Sequence, residues 1–138
     1  MYEIIDRSTD LLLRITAPDL PQLFAEAARG LTSILVDSPS DILPEREIAF
    51  NVAGSPEELD YLLFDWLNEL LYLFDTEEIL LAKFDVTLTD EGLTATALGE
   101  RLDPGRHRLN FEINNISYDH LTLDQTQSPP TAEIVINA

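Results

Sequence analysis

The sequence predicts an α+β fold: a compact two-layer domain, mostly antiparallel β-sheet, carrying two amphipathic helices. Three observations carry that reading. Short alternating segments recur along the chain, as half-buried strands do. Two longer stretches repeat their apolar residues at helical spacing, each behind a capping signal. Neighbouring short segments are joined by brief turns, which gives hairpins and therefore antiparallel pairing. The 138 residues suit one domain spanning 1–138, long enough to bury roughly 70% of the unfolded surface. No linker and no internal repeat divides them.

In chain order, residues 2–5 and 11–16 read as strands around a turn at 6–10. The first helix is expected from about Leu20 to Val36. Asp19 is its N-cap, Pro21 lies in its first turn and Gln22 completes a capping box. Leu20, Leu23, Phe24, Ala27, Leu31, Ile34 and Leu35 give it one buried face. Residues 37–46 form a loop, and 47–53 alternate as a strand. The second helix is expected from about Pro56 to Phe74, with Ser55 as N-cap, Pro56 at the first position and Glu58 closing a Ser-x-x-Glu box. Its stripe runs through Leu59, Leu62, Leu63, Trp66, Leu67, Leu70, Leu71 and Phe74, which is the pattern of a core face. Strands follow at 83–89 and 93–98 around the Asp90-Glu91-Gly92 hairpin signal, then at 109–117, 120–124 and 132–137. Asp103-Pro104-Gly105-Arg106 is a turn, and 126–131 a loop. The count is eight strands and two helices.

Charge narrows the function. Asp and Glu number 26 against 8 Lys plus Arg, a formal net charge of −18. A protein that grips phosphate backbones by itself relies on Lys and Arg, so direct nucleic-acid binding is not expected. A hydrophobic content of 45% excludes intrinsic disorder. No apolar run reaches the roughly 20 residues of a membrane span, and MYEIIDRSTD does not read as a secretory leader. A cytoplasmic protein is expected. The absence of cysteine removes disulfide frameworks, thiolate metal sites and cysteine nucleophiles. The acid is concentrated: Glu57, Glu58, Asp60, Asp65, Glu69, Asp75, Glu77 and Glu78 follow one another with no Lys or Arg between them. Such a run is either a solvated helix face or a docking face for a basic partner. Arg101, Arg106 and Arg108 gather around His107, too few for nucleic acid.

No familiar catalytic motif is present: no Gly-rich phosphate loop, no nucleophile elbow, no His-Glu-x-x-His. Two histidines, His107 and His120, cannot build a three-histidine zinc site. Asp119 and His120 are neighbours, but adjacent strand residues point to opposite faces. Oxygen ligands are plentiful. The Asp6-Arg7-Ser8-Thr9-Asp10 turn could gather them, and Ala138 adds a terminal carboxylate after the last strand. An oxygen-rich pocket follows if that strand ends beside the turn. Otherwise each Asp caps its own backbone.

Across essentially its whole length the chain resembles the archease family. Tyr2-Glu3 with Asp6-Arg7-Ser8-Thr9-Asp10 resembles the family's Asp-His-Thr-Ala-Asp opening, and Leu20 to Leu35, with Phe24, Ala27, Ala28 and Gly30, its first helix. The most specific match runs from Leu62 to Asp75 and resembles Leu-Leu-x-Asp-Trp-Leu-x-Glu-Leu-Leu-Tyr. Gly99-Glu100 with His107, and Ser117-Tyr118 with Leu121, match two further segments. The resemblance implies no enzyme. It implies a cytoplasmic accessory protein of an RtcB-type RNA ligase, promoting ligase guanylylation and multiple turnover in tRNA splicing or RNA repair. A chaperone-like role beside a tRNA methyltransferase belongs to the same family picture. The resemblance also implies a divalent metal, calcium, held at Asp10, Asn137 and the carboxylate of Ala138.

The chain departs from the pattern at four places. Asn137 stands where the family has an acid, which removes one negative charge and weakens a calcium site. Arg7 replaces the opening histidine, and its charge repels a cation if it points inward. Asn114 replaces a lysine, and Asp119 falls on the histidine after the tyrosine, with His120 displaced by one. Two other readings remain open. One is a diverged paralogue acting as a protein-binding or chaperone module without metal or ligase. The other is an enzyme using Glu100, His107 and Asp119, which requires those three side chains to meet.

Overall fold

The structure, a computed structural model, describes residues 1–138. Its elements are β1 (Tyr2–Asp6), β2 (Leu11–Thr16), α1 (Leu20–Leu35), β3 (Arg46–Ala53), α2 (Leu59–Glu77), β4 (Ile79–Thr89), β5 (Gly92–Arg101), β6 (Asn115–Asp124) and β7 (Thr131–Asn137). A short 3-10 turn, Pro39–Asp41, interrupts the loop after α1. The strands form two sheets, ordered β1-β2-β7-β6 and β3-β5-β4, and every pairing is antiparallel. The expectation of mostly antiparallel sheet with two helices holds.

The period-2 pattern of the strands fixes which residues face inward. Leu11, Leu13 and Ile15 of β2 are buried beside Ala132, Ile134 and Ile136 of β7, and Leu93, Ala95 and Ala97 of β5 are buried in the other sheet. The helices fill the space these faces leave. Asp19 caps α1 as expected, its Oδ1 accepting from the Gln22 amide at 2.9 Å. Gly30 lets α1 close on β2, since a Cβ there would lie 2.6 Å from Leu13 Cδ1. Trp66 joins the helices: its buried indole donates to the Phe24 carbonyl at 3.0 Å and meets Phe50 edge-on, ring centres 5.2 Å apart. One core cluster of 36 residues results.

The structure corrects three readings. α2 begins at Leu59, not Pro56. The Gly54 amide is tied to the Glu91 carbonyl at 3.0 Å, so the chain must turn before it can start a helix. Ser55 serves that turn, its hydroxyl accepting from the Glu57 amide at 3.2 Å, while the Glu58 carbonyl takes the first helical bond from Leu62. At the other end α2 runs on to Glu77 and stops at Glu78 in the left-handed region, φ 54°. Second, β4 begins at Ile79, four residues before the alternation at 83. Ile79, Leu80 and Leu81 are all buried, and a strand covered on both faces does not alternate.

Third, there are seven strands rather than eight. The segments expected at 109–117 and 120–124 form one strand, β6, paired to β7 on either side of an irregularity between Ser117 and Thr122. Residues 109–114 precede it without a sheet. Their alternation signals extended backbone, but a helix end supplies the partners. The Asn110 amide donates to the Leu35 carbonyl at 2.8 Å and the Phe111 amide to the Ile34 carbonyl at 3.0 Å, capping the last carbonyls of α1.

Candidate functional site

The last strand does end beside the first turn. β7 pairs with β2 so that Leu11 lies opposite Ile136, and with β6 so that Asn137 lies opposite Asn115. The same register brings the Asp10 position alongside Asn137. In the turn, Ser8 takes φ 68° and its amide donates to Asp6 Oδ1 at 2.9 Å, so Asp6 caps its own backbone. Asp10 is held by Arg7, whose Nε donates to Oδ1 at 2.6 Å. That bond lowers the Asp10 pKa, with a smaller contribution from His120 nearby, and raises that of Arg7. Asn137 is also engaged: its amide donates to Asn115 Oδ1 at 2.5 Å, and its carbonyl accepts from the Asn114 amide at 2.7 Å.

These residues do not fit a calcium site as they stand. Calcium takes six to eight oxygens and gains affinity from their charge. Here one carboxylate faces a guanidinium, and one amide presents its donor side to a neighbouring oxygen. Nowhere does the molecule gather three or more His, Cys, Asp or Glu side chains in metal-binding geometry. Asp10, Asn137 and Ala138 lie at one end of the sheet, and the Arg7 guanidinium is bonded to the Asp10 carboxylate that a cation would need.

The second cluster is built around Glu100 at the end of β5. Gly99 precedes it because the Leu80 carbonyl would lie 1.9 Å from any Cβ there. Glu100 is 4% exposed and His107 is 7% exposed. Glu100 Oε2 accepts from the Leu43 amide at 2.7 Å and from His107 Nε2 at 2.9 Å, while Oε1 is bound by Arg106. The other ring nitrogen, His107 Nδ1, accepts from the Asp103 amide at 2.8 Å. Burial by itself would raise the Glu100 pKa. The Leu43 amide, Arg106 and His107 outweigh it and hold the carboxyl at about 2. Both ring nitrogens and both carboxylate oxygens are engaged within the fold. The cluster fastens the loop after β5, and the loop leading to β3, to the end of β5. Asp119 lies on β6 in the other sheet, exposed, and shares no hydrogen bond or ion pair with Glu100 or His107. The three residues of the enzyme reading do not meet.

The acidic run becomes a face of α2 and its flanks. None of its eight carboxylates forms an ion pair. Four of the eight Lys and Arg are engaged elsewhere: Arg7 with Asp10, Arg14 with Glu133, Arg29 with Glu26, and Arg106 with Glu100 and Asp103. A cleft of about 580 Å³ follows this face, lined by Asp65, Asn68, Glu69 and Tyr72 on one side and by Asn114 and Asn115 on the other. Partial burial raises the Asp65 pKa. Through Asn115 the cleft reaches the Asn137 end of the sheet. Sequence reasoning found the helix face and the two chain ends, but not that Asn114 and Asn115 join them. Nor did it find the aromatic cluster of Tyr61, Phe64 and Tyr118 at the start of α2, whose ring centres lie 5.0 to 6.3 Å apart. The spacing of Tyr61 and Phe64, three apart on a helix, was its available signal.

The comparisons with known proteins agree with one another. A model of the archease protein family matches residues 2–137. A protein named archease from Methanosarcina acetivorans is 31% identical over 141 residues, covering 99% of this chain and 94% of its own length. Another, from Archaeoglobus fulgidus, is 32% identical over 139 residues, covering 99% and 98%. The solution structure of Methanobacterium thermoautotrophicum protein 1598 matches the fold with a TM-score of 0.84 at 28% identity, over 99% of this chain and 98% of that one.

Proposed function

The chain belongs to the archease family, and from that premise we propose that it is a non-catalytic accessory protein of an RtcB-type RNA ligase, promoting guanylylation and multiple turnover of the ligase in tRNA splicing or RNA repair in the cytoplasm. The observation that carries the reading is the acidic face: eight carboxylates without a counterion in their own chain. A ligase that handles RNA presents the complementary charge, and such pairing raises association rate and specificity more than final affinity. With Arg7 against Asp10, the accessory role does not depend on calcium at Asp10, Asn137 and Ala138.

A second reading has its own observation. At the meeting of the first turn with the last strand, Asp10 is held by Arg7 and Asn137 by Asn115, which favours a paralogue that kept the fold and became a protein-binding or chaperone module, beside a tRNA methyltransferase for instance. Ligation with RNA in excess over the ligase of the same organism decides between them. Turnover that rises above a single round on adding this protein supports the accessory role. No rise, with a ligase shown to complete one round, transfers the proposal to the paralogue.

A further inference from the structure

Leu109 and Phe111 have no partner in the fold. They are 53% and 37% exposed, among the few large apolar side chains left in water. Their exposure is not that of a loose loop. The backbone carrying them is fixed: a bridge pairs Leu109 with Val36, and the amides of Asn110 and Phe111 cap α1. In an extended segment residues two apart share a side, so Leu109 and Phe111 are presented together on a rigid support. They form one wall of a groove of about 410 Å³, with Phe74 of α2 and Leu102 opposite. Beside the neutral Asn110, the charged part of its lining is acidic: Asp75, Glu78 and Glu112, with no Lys or Arg.

We infer that this groove is a docking site for a partner-protein segment that inserts an apolar side chain between flanking Lys or Arg residues. Charge selects the occupant. A second copy of this chain, at −18, is repelled by the acidic rim, and so are an anionic membrane and a nucleic acid. Apolar walls with an acidic rim match the usual anatomy of a peptide groove, in which a buried anchor supplies affinity and the rim supplies selection. The groove shares Asp75 with the larger cleft along α2, so a partner seated here would continue across the acidic face. The identity of the partner rests on the accessory reading above; its chemistry does not.

The test has two arms. In the first, amide NMR follows titration with a synthetic peptide carrying Leu and Phe between arginines, and with the same peptide bearing glutamates instead. The expected result is shifts at residues 74–78, 102 and 109–112 with the basic peptide only, weakened about tenfold or more by Leu109→Ser with Phe111→Ser and by Glu78→Lys with Glu112→Lys. All four positions are exposed, so the variants fold; a far-UV spectrum checks it. Absence of shifts there, or shifts that the variants leave unchanged, overturns the groove. In the second arm, calorimetry measures binding of the same proteins to the ligase. A ligase that ignores the wild type while the peptide binds overturns the accessory reading and leaves the groove standing. A ligase that binds wild type and variants equally overturns the groove as the ligase's docking site.

Discussion

Two clusters of this molecule share a plan, a carboxylate held by an arginine near a histidine, and differ in everything around it. The Glu100 side chain is 5% exposed and draws on three donors from two loops; the Asp10 side chain is 21% exposed and draws on one arginine in its own turn. The first joins segments far apart in sequence, because Leu43, Glu100 and His107 belong to different parts of the chain. The second joins residues three apart. A strongly shifted carboxylate is often taken to mark a functional site. Here the larger shift belongs to the fold, and the modest one lies at the end of the sheet where the chain departs from its family. What separates them is whether the carboxylate has room left for anything else.

That comparison is broken most directly by removing the buried carboxylate. Glu100→Ala leaves His107 Nε2–H buried without an acceptor, strips the Leu43 amide of its partner and leaves Arg106 only Asp103 and the Asp41 carbonyl. Groups stranded in this way cost much more than the bond that is lost. The thermal midpoint is expected to fall by on the order of 10 °C. Asp10→Ala removes one exposed contact and should shift it by about 1 °C or less. Equal effects in a melting curve would erase the distinction drawn above.

Acid separates the two clusters next. The folded-state pKa of Glu100, about 2, lies below its ordinary 4.5. Between those values the unfolded chain binds the proton and the native protein does not, so stability rises with pH through that window. The contribution is fully present above about pH 4.5 and is lost as pH falls toward 2. Asp10, Glu26 and Asp124 are also lowered and add to the same slope. Denaturant midpoints measured from pH 6 to pH 2 should fall less steeply in Glu100→Gln than in wild type, and almost as steeply in Asp10→Asn. A Glu100→Gln slope as steep as wild type would mean that Glu100 titrates normally in the native state.

The same contrast explains what the sequence made legible. Local rules read well: Asp19 caps α1, the stripe of α2 is buried from Leu59 to Leu71, and Asp90-Glu91 turns a hairpin into Gly92. Rules about partners read poorly. The Ser55 box failed because a long-range bond at Gly54 redirected the chain. Residues 109–114 alternate like a strand and pair with a helix end instead, since alternation reports backbone extension and a face, not the identity of the neighbour. Ile79 to Leu81 were missed because burial on both faces erases the alternation. At the chain-end pocket, the meeting of the first turn with the last strand could be stated only as a condition. Whether Arg7 would repel a cation or replace it depended on a rotamer that sequence does not encode. Leu109 and Phe111 were legible as apolar, but not as exposed.

An effect smaller than that of Glu100→Ala concerns the cation itself. If Arg7 occupies the place of a divalent ion, removing it and restoring the missing charge should create affinity where the wild type has little. Arg7→Ala with Asn137→Asp frees the Asp10 carboxylate and sets a second beside the Ala138 terminus, giving three negative groups around one spot. At tenfold excess over its dissociation constant, calcium would then stabilise the double variant by about 1.4 kcal/mol, a rise in melting temperature of about 3–5 °C. The wild type should rise by less than about 1 °C under the same conditions, and magnesium at equal ionic strength should move neither protein as far, being less tolerant of irregular oxygen geometry. A wild type that gains as much from calcium as the double variant would show that Arg7 swings away from Asp10 when the ion arrives. The guanidinium would then guard the pocket instead of filling it, and the two clusters would differ in mobility more than in purpose.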